Sequence, residues 1–286
     1  ATRVAEAIGD GAGPLVLLKG AAYLAEGLPI APGRLPSDLD ILVPRAGLEL
    51  ARQRLGAAGW ASAPLSDHDR RYYEEWSHEV PPMNHPIHPV ELDLHHNILP
   101  PLADSHVAIE PLLARLQSSG WPRWSVLQPE DQVLHSAAHL FLDSEFTDRA
   151  RDIVDLDGLL RHYGVRAGYL KSLLERARQL ELTEPLALAV HFAQAWMRTP
   201  LPDDWVKQVR SVGPGPARAA WLIPLYRAAL TPSEADDPAG IKKRAAATAL
   251  LIRYHWNRMP LRLLVPHLWH KWRHANDPLT APEPGA

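Results

Sequence analysis

Apolar and polar positions follow two different rhythms along this chain. In the first hundred residues the apolar runs are short and end on glycine or charge. Leu15, Val16, Leu17 and Leu18 form one such run, closed by Lys19 and Gly20, and predict a buried strand. Residues 21–26 then read as a helix start stopped by Gly27 and Pro29, and residues 28–36, with three prolines and Gly33, as a loop. Leu39, Ile41 and Val43 alternate with Asp38, Asp40 and Leu42, the pattern of a strand with one wet end. Leu48, Ala51, Leu55 and Ala58 carry helical spacing up to Gly59. Residues 67–106 are rich in His, Pro and aromatics and hold one clear strand, 90–94. After Pro129 the period changes, and helices are expected over 129–142, 148–162, 168–180 and 185–197, with others towards Trp272. Pro129 and Pro185 sit where a first helical turn accepts proline. The predicted fold is therefore α+β: an alternating strand–helix front, changing between residues 100 and 128 to an all-helical back. The expected units are 1–110, 125–276 and a flexible tail at 277–286.

Two clusters of carboxylates stand out against this frame. Asp38 and Asp40 are two apart at the start of a strand, so both point to one face and can grip the same ion or ions. Magnesium takes a few carboxylates, some waters and phosphate oxygens, and an Asp-x-Asp pair leaves that room. Alone, such a pair is more often a turn or a solvated strand edge. Glu91, Asp93 and His95 share the face opposite Val90, Leu92 and Leu94. Asp93 is thus placed to be a third acid, or else part of a merely wet edge strand.

Bulk composition narrows the classes. The chain has 286 residues, 46% apolar and 22% charged, which fits an ordinary globular protein with room for two cores. No apolar stretch approaches a membrane span, and residues 1–10 lack the basic and apolar regions of a signal peptide. There is no cysteine, which excludes disulfides, thiolate metal sites and a Cys nucleophile, and agrees with a cytoplasmic location. Residues 238–276 carry eight Lys or Arg and no acid, which, taken from a net −3, leaves −11 on the rest. Such asymmetry suggests an internal docking surface or an anionic partner.

Leu18-Lys19-Gly20, then Arg34-x-x-Ser37-Asp38-Leu39-Asp40-Ile41-Leu42-Val43, then Glu91-Leu92-Asp93-Leu94-His95, resemble the nucleotidyltransferase superfamily that includes DNA polymerase β. A bacterial branch with a leucine-lysine-glycine strand end and an aspartate-x-histidine strand is more similar still. Val133 to His139 and Arg151 to Leu156 also look like that branch, so the resemblance spans about half the chain. It implies a nucleotidyltransferase-like mixed sheet closed over by the helices. It also implies transfer of a nucleoside monophosphate from an NTP (ATP by default) to a small-molecule, peptide or protein acceptor, with pyrophosphate released. Asp38, Asp40 and Asp93 would be catalytic and hold Mg2+, with Mn2+ as the alternative ion. Lys19, Gly20, Arg34, Ser37 and His95 would contact the nucleotide. Two departures mark this chain: Gly20 is followed by Ala21 where the superfamily has serine, and 18 positions separate Gly20 from Asp38.

Other constellations carry weaker readings. His135 and His139 share a helix face, more simply as a polar stripe facing the cleft or bonded within the helical domain than as a zinc pair. Arg151 and Asp155 are spaced for an intrahelical pair. Seven histidines between His68 and His106 match no standard zinc spacing. The segment with Trp256, Trp269 and Trp272 is expected to bury its aromatics and extend its basic heads to water, so nucleic acid is not favoured. Two rival functions remain: a catalytically inactive binding module, and a histidine-based metal phosphohydrolase.

Overall fold

The computed structural model describes residues 1–33, 38–66, 70–71, 73, 77–100, 107–143, 146, 149–232 and 240–258. Its strands form one mixed seven-stranded sheet: β1 Leu15–Leu17, β2 Asp38–Leu42, β3 Ala61–Ser62, β4 Met83–Asn84, β5 Glu91–His95, β6 Gln117–Ser118 and β7 Trp124–Val126. The order across the sheet is β3-β4-β5-β2-β1-β7-β6. β2 runs parallel to β5 and β1 parallel to β7, while the other neighbours are antiparallel. The helices interleaved with it are α1 Thr2–Ile8, α2 Lys19–Ala25, α3 Arg45–Ala57 and α4 Glu110–Leu113. A run of helices follows: α5 Pro129–Leu142, α6 Ala150–Gly164, α7 Tyr169–Gln179, α8 Thr183–Met197, α9 Asp203–Val212, α10 Pro216–Leu230 and α11 Ile241–Arg258. The α+β class expected from periodicity is the observed one. The strands at 117–118 and 124–126 belong to the sheet too, so it reaches past residue 110.

β5 is not a wet edge strand, because it lies between β4 and β2. Its alternate residues Leu92 and Leu94 are fully buried, as are Ile41 and Leu42 of β2. A strand buried on its apolar face and flanked on both sides leaves its polar face as a fixed platform.

α5 is the pivot between sheet and helices. It packs against α6, α7 and α8, and nearly every residue along it is buried. A helix covered all round must satisfy its polar groups internally. Gln132 does so by donating to Glu26 Oε2 at 2.7 Å and to Leu127 O at 2.9 Å, while its own oxygen accepts from Tyr163 at 3.3 Å. Gln117 donates to the other oxygen of Glu26 at 2.7 Å. The residue just past the end of α2 is thereby tied to α5 and β6, which fixes where α2 starts relative to the sheet. The buried apolar side chains form one cluster running from Val4 to Leu250.

α3 begins against the backbone before β1. A Cβ on Gly47 would stand 1.9 Å from the carbonyl oxygen of Ala12, an atom that no rotamer change can move. Gly47→Ala is therefore expected to destabilise the fold by about 1–3 kcal/mol, the range for overpacking a filled site. Urea denaturation followed by circular dichroism measures it, and an unchanged midpoint would contradict the tight contact.

Of the aromatics expected to be buried near the basic end, Trp256 is 61% exposed on α11. That expectation is corrected: α11 turns Leu250 and Tyr254 inward instead, and positions 250, 254 and 256 cannot share one helical face. Trp269, Trp272 and the tail 277–286 lie outside the described residues.

Candidate active site

Parallel pairing of β2 with β5 sets Asp38 beside Glu91 and Asp40 beside Asp93. Because register partners on neighbouring strands point to one face, Asp38, Asp40 and Asp93 share a platform, with Glu91 and His95 on the same side. Lys19 opens α2 directly after β1 and has φ +44°, a left-handed setting rare for a residue with a side chain. Its Nζ donates to Asp40 Oδ1 at 2.8 Å. His95 donates to the same oxygen through Nε2 at 3.0 Å, since a carboxylate can only accept. Asp40 and His95 are 5% and 2% exposed, so this is a buried triad.

The charges of the triad reinforce one another. Burial pushes the Asp40 carboxyl up, but Lys19 and His95 outweigh it and hold it well below the usual carboxylate range. Burial alone would lower Lys19, yet the neighbouring Asp40 raises it overall. His95 is likewise lowered by burial and raised on balance by Asp40 and Glu79. Asp93 is different. Burial, then the charge of Asp40, push it up to about 7, and it makes no side-chain hydrogen bond among the described residues.

That asymmetry bears on whether the site suits a divalent metal ion. Two carboxylates facing each other, one without a hydrogen-bond donor, form a hard-oxygen pair lacking positive charge on one side. A carboxyl whose proton is held up by its acidic neighbour is also one that a cation would relieve. The donor set of Asp38, Asp40 and Asp93 therefore fits magnesium chemically. The three do not form a tight ligand group among the described residues, and Asp40 is paired with Lys19. Among the described residues, the three whose ligand atoms all lie within 4.8 Å of one another are His78, Glu79 and His95.

The site residues read from the sequence are placed as follows. Lys19, Gly20, Asp38, Asp40, Asp93 and His95 gather around the junction of β2, β5 and the start of α2. Arg34 and Ser37 lie outside the described residues. His95 meets Asp40 rather than Asp93, and its burial sets it behind the carboxylates rather than at the open surface.

Sequence reasoning left out Glu79 and assigned no role to His78. Glu79 Oε2 is 3.3 Å from His95 Nδ1, and the His78 ring lies 5.3 Å from that of His95. Burial, then the nearby His95, hold His78 well below its ordinary value, so it is neutral. The density of histidines in 67–106 was the signal, but nothing in the spacing said which of them meet. α5 supplies the other wall. His135 and His139 are lowered by burial and next by Lys19, which places both near the ammonium, and His139 Nδ1 is 3.2 Å from Asp143. Arg149 pairs with Asp152 at 2.6 Å at the start of α6. His135 is thus buried beside Lys19, and His139 is bonded to Asp143 one turn further along.

The sequence model of a family described as an uncharacterised nucleotidyltransferase matches residues 1–198, more than half of the chain. No curated protein and no solved structure gives a significant match.

Proposed function

The chain belongs to that family of nucleotidyltransferases, and on this premise we propose that it transfers a nucleoside monophosphate from an NTP to an acceptor hydroxyl, amine or phosphate, releasing pyrophosphate. The supporting observation is the register of Asp40 opposite Asp93 on one sheet face, with Lys19 at the adjoining helix start. Asp38, Asp40 and Asp93 are the residues that would hold magnesium or manganese. Such an ion, when bound, neutralises phosphate charge and orients the attacking group.

The chain's own groups divide the remaining work. Asp93, the third carboxylate of the platform, takes the proton from the acceptor. The free N–H groups at the start of α2, from Gly20 and Ala21, meet the phosphates. They replace the hydroxyl that a serine at position 21 would bring. Lys19 and Arg34 supply positive charge. His95 acts through Asp40, fixing the orientation of its carboxylate. The sheet unit and the helical unit beginning at Pro129 form the two sides of the cleft, with His135 and His139 on the helical side. The acceptor is a small molecule, peptide or protein.

The test is a screen of the four NTPs with Mg2+ or Mn2+ for pyrophosphate release across candidate acceptors. Absence of both NTP binding and release under every condition would favour the inactive-module reading. Lys19→Ala is expected to weaken NTP binding about 10-fold or more, since hydrogen bonds to charged groups contribute about 1.5–3 kcal/mol. Binding of the matching nucleoside, which has no phosphates, should change little. Equal losses for both ligands, measured by calorimetry, would remove Lys19 from the phosphate site.

A further inference from the structure

Beside the carboxylate platform, at the end of β5, lies a second set of metal-binding atoms, of which only His95 has a part in the proposed transfer. His78, Glu79 and His95 each offer a ligand atom, and all three atoms lie within 4.8 Å of one another. A divalent ion bound at about 2.0–2.2 Å by nitrogen and oxygen sets tetrahedral ligand atoms roughly 3.3–3.5 Å apart. His95 Nδ1 and Glu79 Oε2 already stand 3.3 Å apart. Only the His78 ring has to close in.

The backbone holds these residues in place. Glu79 forms an antiparallel bridge with His95. Val80 N donates to Leu94 O at 3.0 Å and His96 N to His78 O at 2.8 Å, which makes Glu79 and His95 a non-hydrogen-bonded pair. In such pairs the side chains approach most closely. A site assembled on paired backbone loses little order when it binds an ion.

The second observation concerns the imidazole of His95. Its Nε2 is committed to Asp40, while its Nδ1 is buried, makes no hydrogen bond among the described residues and stands 3.3 Å from Glu79 Oε2. A buried ring nitrogen without a partner is costly to leave. The neutral tautomer that donates Nε2–H to Asp40 leaves Nδ1 with a lone pair on the side of Glu79, the form in which it can ligate a cation. A cation bound there takes the place of the proton that Asp40 and Glu79 otherwise favour on the ring. The resulting chain of carboxylate, histidine and metal is the arrangement in which an outer carboxylate fixes the tautomer of a ligating imidazole.

We propose that His78, Glu79 and His95 form a binding site for one zinc-like divalent ion, separate from the aspartate site and joined to it through the His95–Asp40 hydrogen bond. Two imidazoles and one carboxylate select zinc over magnesium, which prefers oxygen ligands. The fourth position is open to water on the side of Glu79, whose side chain is 29% exposed. The ion pins segment 77–80 to the end of β5 and locks His95 onto Asp40, so its role is to position a residue of the acidic platform. That positioning role rests on the proposed transfer; binding of the ion does not.

The test uses the full chain stripped with chelator and titrated with Zn2+ against a competing indicator, with Co2+ as a spectroscopic substitute. One equivalent of Zn2+ is expected, with Co2+ giving the visible absorption of a low-coordinate nitrogen and oxygen site. His78→Gln and Glu79→Gln should each weaken Zn2+ binding by about 100-fold, the upper end seen when even outer partners of a ligand are lost. Asp38→Asn should leave Zn2+ affinity within about 2-fold. Circular dichroism verifies that each variant is folded, and the Co2+ spectrum of the unaltered protein needs no variant. No bound equivalent, or affinity insensitive to both His78→Gln and Glu79→Gln, overturns the site. Loss of binding in Asp38→Asn but not in His78→Gln places the ion among the aspartates and overturns it as well.

Discussion

Asp38→Asn is expected to slow nucleotidyl transfer about 10³-fold, as losing several kcal/mol of charge stabilisation at a metal-binding acid would do. The same change should move the unfolding midpoint little, because Asp38 is only partly buried at the start of β2. Asp93→Asn should match it in rate, and it removes a carboxyl that burial and Asp40 already disfavour as an anion. Asp40→Asn behaves differently from both. Its carboxylate is 5% exposed and accepts from Lys19 and His95 through one oxygen. An asparagine keeps an acceptor but not the charge, so a half-buried ammonium loses its counter-ion. Removing one partner of a buried pair costs about 3–5 kcal/mol, and the retained oxygen makes the lower end of that range the expected value. Asp40→Asn should therefore lose activity and stability together, whereas Asp38→Asn loses activity alone. Single-turnover transfer assays beside thermal melts separate the cases. Transfer within about 10-fold of the parent in Asp38→Asn would remove it from the metal-binding acids, since losing such an acid costs far more.

The platform was legible because its signals are local. Alternation in 38–43 and 90–95 fixes which side chains share a face, and the helix starting at Pro129 was readable to its last residue, Leu142. That the two strands lie side by side, with Asp40 level with Asp93, is a long-range fact that no periodicity encodes. The same limit hid Glu79, which sits on an isolated bridge with no strand pattern of its own. It also hid β6 and β7, two and three residues long, in a stretch without alternation. α1, seven residues long, carried too few turns for its period to show. Lys19 was expected to serve phosphate alone. Its ion pair with Asp40 could not be foreseen, because it depends on the left-handed turn at the start of α2.

The other large effect lies away from the carboxylate platform, at the base of α5. Asp131 is fully buried and accepts from Arg176 Nε at 2.6 Å and from Nη2 at 3.0 Å, a two-pronged pair. The same guanidinium donates to Pro111 O at 3.0 Å, so one side chain on α7 clamps α5 and α4. Asp131 also stands in the first turn of α5, where a carboxylate is favoured by the free N–H groups and the helix dipole. Asp131→Ala leaves a guanidinium only 6% exposed with no counter-charge. The expected loss is about 3–5 kcal/mol, the cost of stranding a buried charge. Since α5 packs against three other helices and carries His135 beside Lys19, transfer at warm temperatures should fail before transfer at low temperature does. A second variant separates stranded charge from lost packing. Asp131→Leu combined with Arg176→Met removes both charges at similar volume, and such replacements are often neutral or stabilising. The double variant should therefore recover most of what Asp131→Ala loses in urea denaturation. If it is as unstable as the single variant, the pair's contribution lies in its bonds to α4 and the first turn of α5, and not in mutual neutralisation.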